Sequence, residues 1–120
     1  MTVKVALLGI GNMGQNHLRI LNMLKDVEVV SIFDVNENAL KSLSDKFRVP
    51  YTLNLDEALS KADAAVIATP TSTHCEYFQK CAEYVDKVFI EKPLAASLEE
   101  ASVMQKLAEE KNVFVQLEVL

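Results

Sequence analysis

Leu7-Leu8-Gly9-Ile10-Gly11-Asn12-Met13-Gly14 contains all three glycines of the 120-residue chain. The stretch before it, Val3 to Leu8, is apolar and strand-like. The stretch after it, Met13 to Leu24, repeats at helical spacing, with Met13, His17, Ile20, Leu21 and Leu24 on one side. A strand that runs through G-x-G-x-x-G into a helix is the arrangement that binds a dinucleotide. Gly9 allows the tight turn out of the strand, Gly11 lets the backbone approach a pyrophosphate, and Gly14 lets the helix pack close to the strand. The pyrophosphate then lies over free N–H groups at the positive end of that helix. Gly9, Gly11, Asn12, Met13 and Gly14 are therefore expected to line a cofactor.

A second apolar run, Val27 to Phe33, ends at Asp34. An acid roughly 20 residues beyond the loop accepts hydrogen bonds from the adenosine ribose hydroxyls. It also repels a 2′-phosphate, and neither Val35 nor Asn36 is a base that would greet one. Asp34 and Val35 are thus expected to select NAD over NADP. The competing reading makes Asp34 the cap of a helix that starts near Asn36.

Composition bounds the rest. One hundred and twenty residues make one domain, and half of them are hydrophobic, enough for a core. A net charge of −5 argues against nucleic acid or an anionic membrane as the main partner. No run of about 18 apolar residues is present, so no transmembrane helix is expected. The N-terminus, Met1-Thr2-Val3-Lys4-Val5, goes straight into a strand and carries no signal peptide. Cys75 and Cys81 fall on one predicted helix, about 9 Å apart at the helical rise, too far for a bridge. Two unpaired cysteines fit a reducing cytoplasm, and neither has flanking metal ligands.

Strand and helix patterns alternate to the end. Further helices are predicted over Asn36 to Phe47, Asp56 to Ser60, Ser72 to Tyr84 and Ser97 to Glu110. Further strands are predicted at Tyr51 and Thr52, Ala64 to Ala68, Val88 to Ile90 and Val113 to Gln116. The strands are short and apolar throughout, the pattern of strands buried on both faces of a parallel sheet. This is an α/β fold, a doubly wound parallel sheet of the Rossmann kind, in the order 3-2-1-4-5-6. Ligands bind such sheets at the carboxyl ends of the strands. Pro70 and Pro93 each follow a predicted strand end.

Strand four runs into Ala68-Thr69-Pro70-Thr71-Ser72-Thr73-His74, and strand five into Glu91-Lys92-Pro93-Leu94. With the glycine loop and Asp34, these segments resemble the Gfo/Idh/MocA family of glucose–fructose oxidoreductases and inositol dehydrogenases. The resemblance covers the whole chain. It implies an NAD-dependent dehydrogenase that moves a hydride between a carbinol carbon of a sugar or cyclitol and nicotinamide. Ala68, Thr69 and Pro70 would line the cofactor groove, with Thr71 and His74 near its nicotinamide end. Glu91 and Lys92 would face the nicotinamide ribose and the reacting carbon, with Lys92 assisting catalysis. The Gly-Asn-Met-Gly-Gln-Asn-His and Pro-Thr-x-x-His runs are similar to members that oxidise the 3-hydroxyl of UDP-N-acetylglucosamine, and myo-inositol dehydrogenases share much of this pattern. The family's main acid/base residues come from a second α/β domain, which is expected to be missing after residue 120, leaving a fragment inactive by itself. The Tyr84-Val85-Asp86-Lys87 segment departs from the family's usual Gly-Lys-His turn.

Plainer readings stand beside these. His74 would be an N-terminal-turn residue of a helix with no ligand, His17 a helix-packing histidine, and Lys92 a solvated lysine in a turn. A binding-only module that senses the NADH/NAD ratio would need an output domain, and no basic patch or DNA-reading helix is evident. A methyltransferase also uses a glycine loop and an acid after strand two, but leaves Glu-Lys-Pro unexplained. Two structural expectations follow. Lys92–Pro93 is expected to be cis, since a tight turn there aims Lys92 into the cleft. Val113, Phe114, Val115, Leu117, Val119 and Leu120 are expected to leave an apolar strand edge that pairs with a second copy, giving a homo-oligomer.

Overall fold

The computed structural model describes residues 2–117, along which strands and helices alternate. The order is β1 (Val3–Leu8), α1 (Asn12–Met23), β2 (Val27–Phe33), α2 (Glu37–Phe47), β3 (Tyr51–Thr52), α3 (Leu55–Ser60), β4 (Ala64–Ile67), α4 (His74–Cys81), β5 (Lys87–Ile90), α5 (Leu98–Lys111) and β6 (Phe114–Leu117). All six strands are parallel, in the order β3-β2-β1-β4-β5-β6. Register brings Leu8 level with Phe33 and Ile67, and Ile67 level with Ile90, so the carboxyl ends of the four central strands form one line. The expected doubly wound topology is therefore present.

The sheet is covered differently on its two faces. Val5, Leu7, Val29 and Ile32 pack with Leu18 of α1 and with Leu40 and Leu43 of α2. Ala6, Leu8, Ile67, Val88 and Ile90 pack with Leu59 of α3, Phe78 of α4 and Met104 of α5. Adjacent strand residues point to opposite faces and both are buried, so the strand sequences show no polar alternation.

The inward face of α1 differs from the expected stripe. Met13, Ile20 and Leu24 are exposed, while Gly14 and Leu18 are buried and Leu21 is partly so. The cause is tertiary. A Cβ on Gly14 would lie 2.0 Å from the Gly9 carbonyl oxygen. That close approach turns the Gly14–Leu18–Leu21 side inward, and burial of Leu18 contributes about 1.5–3 kcal/mol to the docking. The fourth helix is also shorter than the predicted Ser72 to Tyr84. A 3₁₀ turn, Thr71–Thr73, leads into α4, which ends at Cys81. Tyr84 lies beyond it and donates its hydroxyl to Asp56 of α3 at 2.8 Å, with Lys80 Nζ 3.0 Å from the same oxygen. These contacts occupy the segment that departs from the family's turn.

Three helices are capped by side chains. Asn36, Asn54 and Ser97 accept from the backbone N–H groups of Ala39, Glu57 and Glu100. Arg48 and Asn112 close α2 and α5 in the left-handed conformation. On the β6 edge, Phe114 is 63% exposed, Val115 and Leu117 are half-buried and Val113 is buried. Val119 and Leu120 lie outside the described residues.

Candidate functional site

Strand order reverses between β1 and β4, and the loops leaving them meet at the carboxyl edge. Three backbone bonds carry the alignment past the strand ends: Gly9 N–H to Phe33 O at 2.8 Å, Ala68 N–H to Leu8 O at 2.7 Å and Glu91 N–H to Ile67 O at 3.1 Å. Gly9, Ala68 and Glu91 thus stand side by side in the crevice where open α/β sheets hold ligands.

The three glycines have distinct reasons to be there. Gly9 has φ +97°, a conformation that L side chains rarely adopt, and a Cβ on it would lie 2.6 Å from the Ala68 carbonyl oxygen. Gly14 lies against Gly9. Gly11 has an ordinary extended conformation, and a Cβ there would meet nothing within 4 Å. Its missing side chain serves space outside the protein, which fits a ligand approaching the backbone. Gly11 is also the N-cap of α1, with no side-chain cap bond and no acid in the first turn. Unlike α2, α3 and α5, this helix presents its positive end without a carboxylate or a capping side chain. The amides of Asn12, Met13 and Gly14 begin it, and Met13 is exposed. These features together fit a pyrophosphate.

Asp34 follows β2 and faces the glycine loop. Its Oδ2 accepts from Ile10 N–H at 2.9 Å, and its Oδ1 accepts from Val35 N–H at 2.6 Å and Asn36 N–H at 3.1 Å. The side chain therefore anchors the glycine loop to the end of β2. It does not cap α2, since Asn36 does so. A carboxylate offers about four lone-pair sites, so three backbone donors leave one for a ribose hydroxyl. Val35 is 82% exposed beside it. The bond to Ile10 was not legible in the sequence.

Beyond β4, Ala68 and Thr69 are half-buried, Pro70 is exposed and Thr71 starts the 3₁₀ turn. Thr73 Oγ1 donates to Pro70 O and lies 2.7 Å from Thr69 Oγ1. His74 is 1% exposed. Its Nε2 is 2.9 Å from Thr69 O, and its Nδ1 is 3.0 Å from Pro93 O and 3.2 Å from Leu94 O. Backbone carbonyls occupy both ring nitrogens. His74 therefore shapes the groove by tying the loop after β4 to the turn after β5, and presents no ring nitrogen to a ligand.

After β5, Glu91 is 7% exposed, Lys92 is exposed and the Lys92–Pro93 peptide is cis. His17 Nε2 is hydrogen-bonded to Glu91 Oε1. The His17 ring also meets Phe89 edge-on, with centroids 5.3 Å apart. The packing role expected for His17 is present, and the tie to Glu91 is added to it.

Neither cysteine suits chemistry. Both are buried and unbridged. Burial pushes the Cys81 thiol up to about 12 and raises that of Cys75, whereas a nucleophile needs a thiolate. Among the described residues, no group of three or more His, Cys, Asp or Glu could hold a metal ion. Among them too, no helix is long and apolar enough to cross a membrane. A cleft of about 500 Å³ lies between α4, α5 and β6, lined by Phe78, Leu98, Met104, Ala108 and other uncharged residues.

The sequence model of the oxidoreductase family with an NAD-binding Rossmann fold, GFO_IDH_MocA, matches residues 3–119. The chain belongs to the Gfo/Idh/MocA oxidoreductase family. Its match is to that family's NAD-binding domain, and its cofactor is NAD. Glucose-6-phosphate 3-dehydrogenase of Bacillus subtilis (strain 168) is 31% identical over 110 residues, 92% of this chain and 31% of the relative. Myo-inositol 2-dehydrogenase of Thermotoga maritima is 31% identical over 119 residues, 94% of this chain and 34% of the relative. Among solved structures, GenD2 from gentamicin A biosynthesis, in complex with NAD, is 30% identical with a TM-score of 0.90, over 97% of this chain and 34% of that one. The Gfo/Idh/MocA chain described here spans about a third of the length of the curated relatives it matches.

Proposed function

We propose that this chain is the cofactor half of a dehydrogenase acting on a secondary hydroxyl of a sugar or cyclitol, with UDP-N-acetylglucosamine 3-oxidation among the candidate reactions. The observation that carries the reading is the open space over Gly11 at an uncapped helix end, with Asp34 after β2 on one side and the segment after β5, which holds Glu91 and Lys92, on the other side of β1. Oxidising a carbinol takes a hydride from carbon and a proton from oxygen, and leaves a carbonyl. Bound NAD supplies the hydride acceptor, nicotinamide C4. The chain's part is to hold and orient the cofactor: α1 amides at the pyrophosphate, Asp34 and Val35 at the adenosine ribose, and Ala68, Thr69, Pro70 and Thr71 along the groove. Glu91 and Lys92 stand at the reacting end, where the Lys92 ammonium would orient the substrate hydroxyl.

A general base must take the hydroxyl proton within hydrogen-bond reach. Both histidines are already engaged, His17 by Glu91 and His74 by backbone carbonyls. We place that base, and the wall that presses the carbinol onto nicotinamide, in a second domain. Two unbridged cysteines support a reducing, cytoplasmic setting. The β6 strand at the sheet edge, with Phe114 exposed, supports association with a second copy.

The isolated chain is expected to bind NADH without turning over UDP-N-acetylglucosamine, myo-inositol or glucose. Loss of the base alone lowers the rate about 10²–10⁴-fold. NADH formation followed by absorbance checks this. Steady turnover that Lys92→Ala abolishes would overturn the two-domain reading.

A further inference from the structure

His17 and Glu91 are 74 residues apart in sequence, yet their side chains meet, 16% and 10% exposed respectively. His17 lies three residues beyond Gly14, near the inward face of α1. In the sheet, β4 separates β1 from β5. The contact therefore reaches from the helix that follows the glycine loop to the residue just after β5. Contacts from two strands and α1 bear on Glu91 and on the ring that meets it. The Glu91 backbone N–H is held by Ile67 O, its carboxylate by His17, and the His17 ring by the edge of Phe89 two residues earlier. Lys92 is the next residue, so freedom at Glu91 passes directly into the position of Lys92. A buried carboxylate that loses a short-range donor is less well satisfied and shifts towards its remaining partners or water.

We propose that His17 is a positioning residue: by holding Glu91 it sets the turn that carries Lys92 and links that turn to the helix at the pyrophosphate. The proposal rests on the cofactor orientation given above, with Lys92 at the nicotinamide end. It predicts an effect confined to that end. A residue that merely packs α1 would instead affect the whole cofactor.

The test is a pair of titrations on the 120-residue chain, one with NADH and one with ADP-ribose, which lacks nicotinamide. His17→Leu removes the donor and keeps apolar contact with Phe89. His17→Gln keeps an N–H donor for the carboxylate. His17→Leu with Glu91→Gln removes the His17–Glu91 pair from both sides, and carries the test if the single leucine variant does not fold. In both leucine variants the NADH dissociation constant is expected to rise about tenfold while that for ADP-ribose stays within about twofold. His17→Gln is expected to stay within about threefold of the original protein for both ligands. Equal weakening of NADH and ADP-ribose, unchanged NADH affinity, or loss of fold in all three variants would overturn the proposal. If the unmodified chain binds neither ligand, the dinucleotide reading itself falls, and the proposal with it.

Discussion

Gly14→Ala is expected to disrupt the fold, whereas Gly11→Ala is expected to spare the fold and weaken NADH binding at least about tenfold. The two substitutions add the same methyl group three residues apart. At Gly14 the methyl would lie 2.0 Å from the backbone oxygen of Gly9, which belongs to the tight turn and has no side-chain freedom to yield. Overpacking typically costs about 1–3 kcal/mol, and a backbone collision of this depth stands at or above the upper end. Alanine's better helix propensity returns only about 1 kcal/mol. At Gly11 the methyl meets no protein atom within 4 Å. Its effect on stability should stay within about 0.5 kcal/mol, as for ordinary surface changes. It would nevertheless occupy the space above the α1 amides and weaken NADH at least about tenfold, near 1.4 kcal/mol. Thermal unfolding together with a fluorescence titration of NADH checks both halves. A Gly11→Ala protein that binds NADH normally would remove the ligand explanation for that glycine.

Asp34 is the second place where one substitution should have a large effect. The unmodified chain is expected to prefer NADH to NADPH strongly, because a 2′-phosphate would face a carboxylate with no basic residue beside it. Asp34→Ser with Val35→Arg should shift the preference towards NADPH. The structure adds a consequence. Removing the carboxylate also frees Ile10 N–H from its anchor, so NADH affinity should fall by more than the ribose bond alone. Hydrogen bonds to a charged group are each worth about 1.5–3 kcal/mol, so a combined loss on the order of 100-fold for NADH is expected in Asp34→Ser. Parallel titrations with NADH and NADPH measure it. Equal affinity of the unmodified chain for both cofactors would remove the ribose assignment.

The strand order and most element bounds were legible because short Val/Ile/Ala runs alternate with amphipathic segments, and glycine or proline follows several strand ends. Local pattern failed where a distant group decided the outcome. The inward face of α1 is set by the contact of Gly14 with Gly9, not by the most apolar stripe, so Met13, Ile20 and Leu24 are exposed. The start of α4 is displaced by the 3₁₀ turn at Thr71–Thr73. At the site, residue types and their spacing named Gly11 and Asp34, and the family resemblance named Lys92. They said nothing of the bonds between them, because Ile10 to Asp34 spans 24 residues and His17 to Glu91 spans 74. His74 shows the same limit in reverse. Its place in the motif pointed to a ligand, while its ring nitrogens face backbone carbonyls.

The most direct measurement is a map of amide chemical shifts of this 13.3 kDa chain during an NADH titration. Saturable shifts are predicted at Ile10 to Gly14, Asp34 to Asn36, Ala68 to Thr71 and Glu91 to Lys92, which together trace one crevice across the carboxyl ends of β1, β2, β4 and β5. Shifts centred instead on Leu98, Ala101 and Gln105 in the apolar cleft, or no shifts at millimolar NADH, would contradict the assignment of this crevice as the cofactor site.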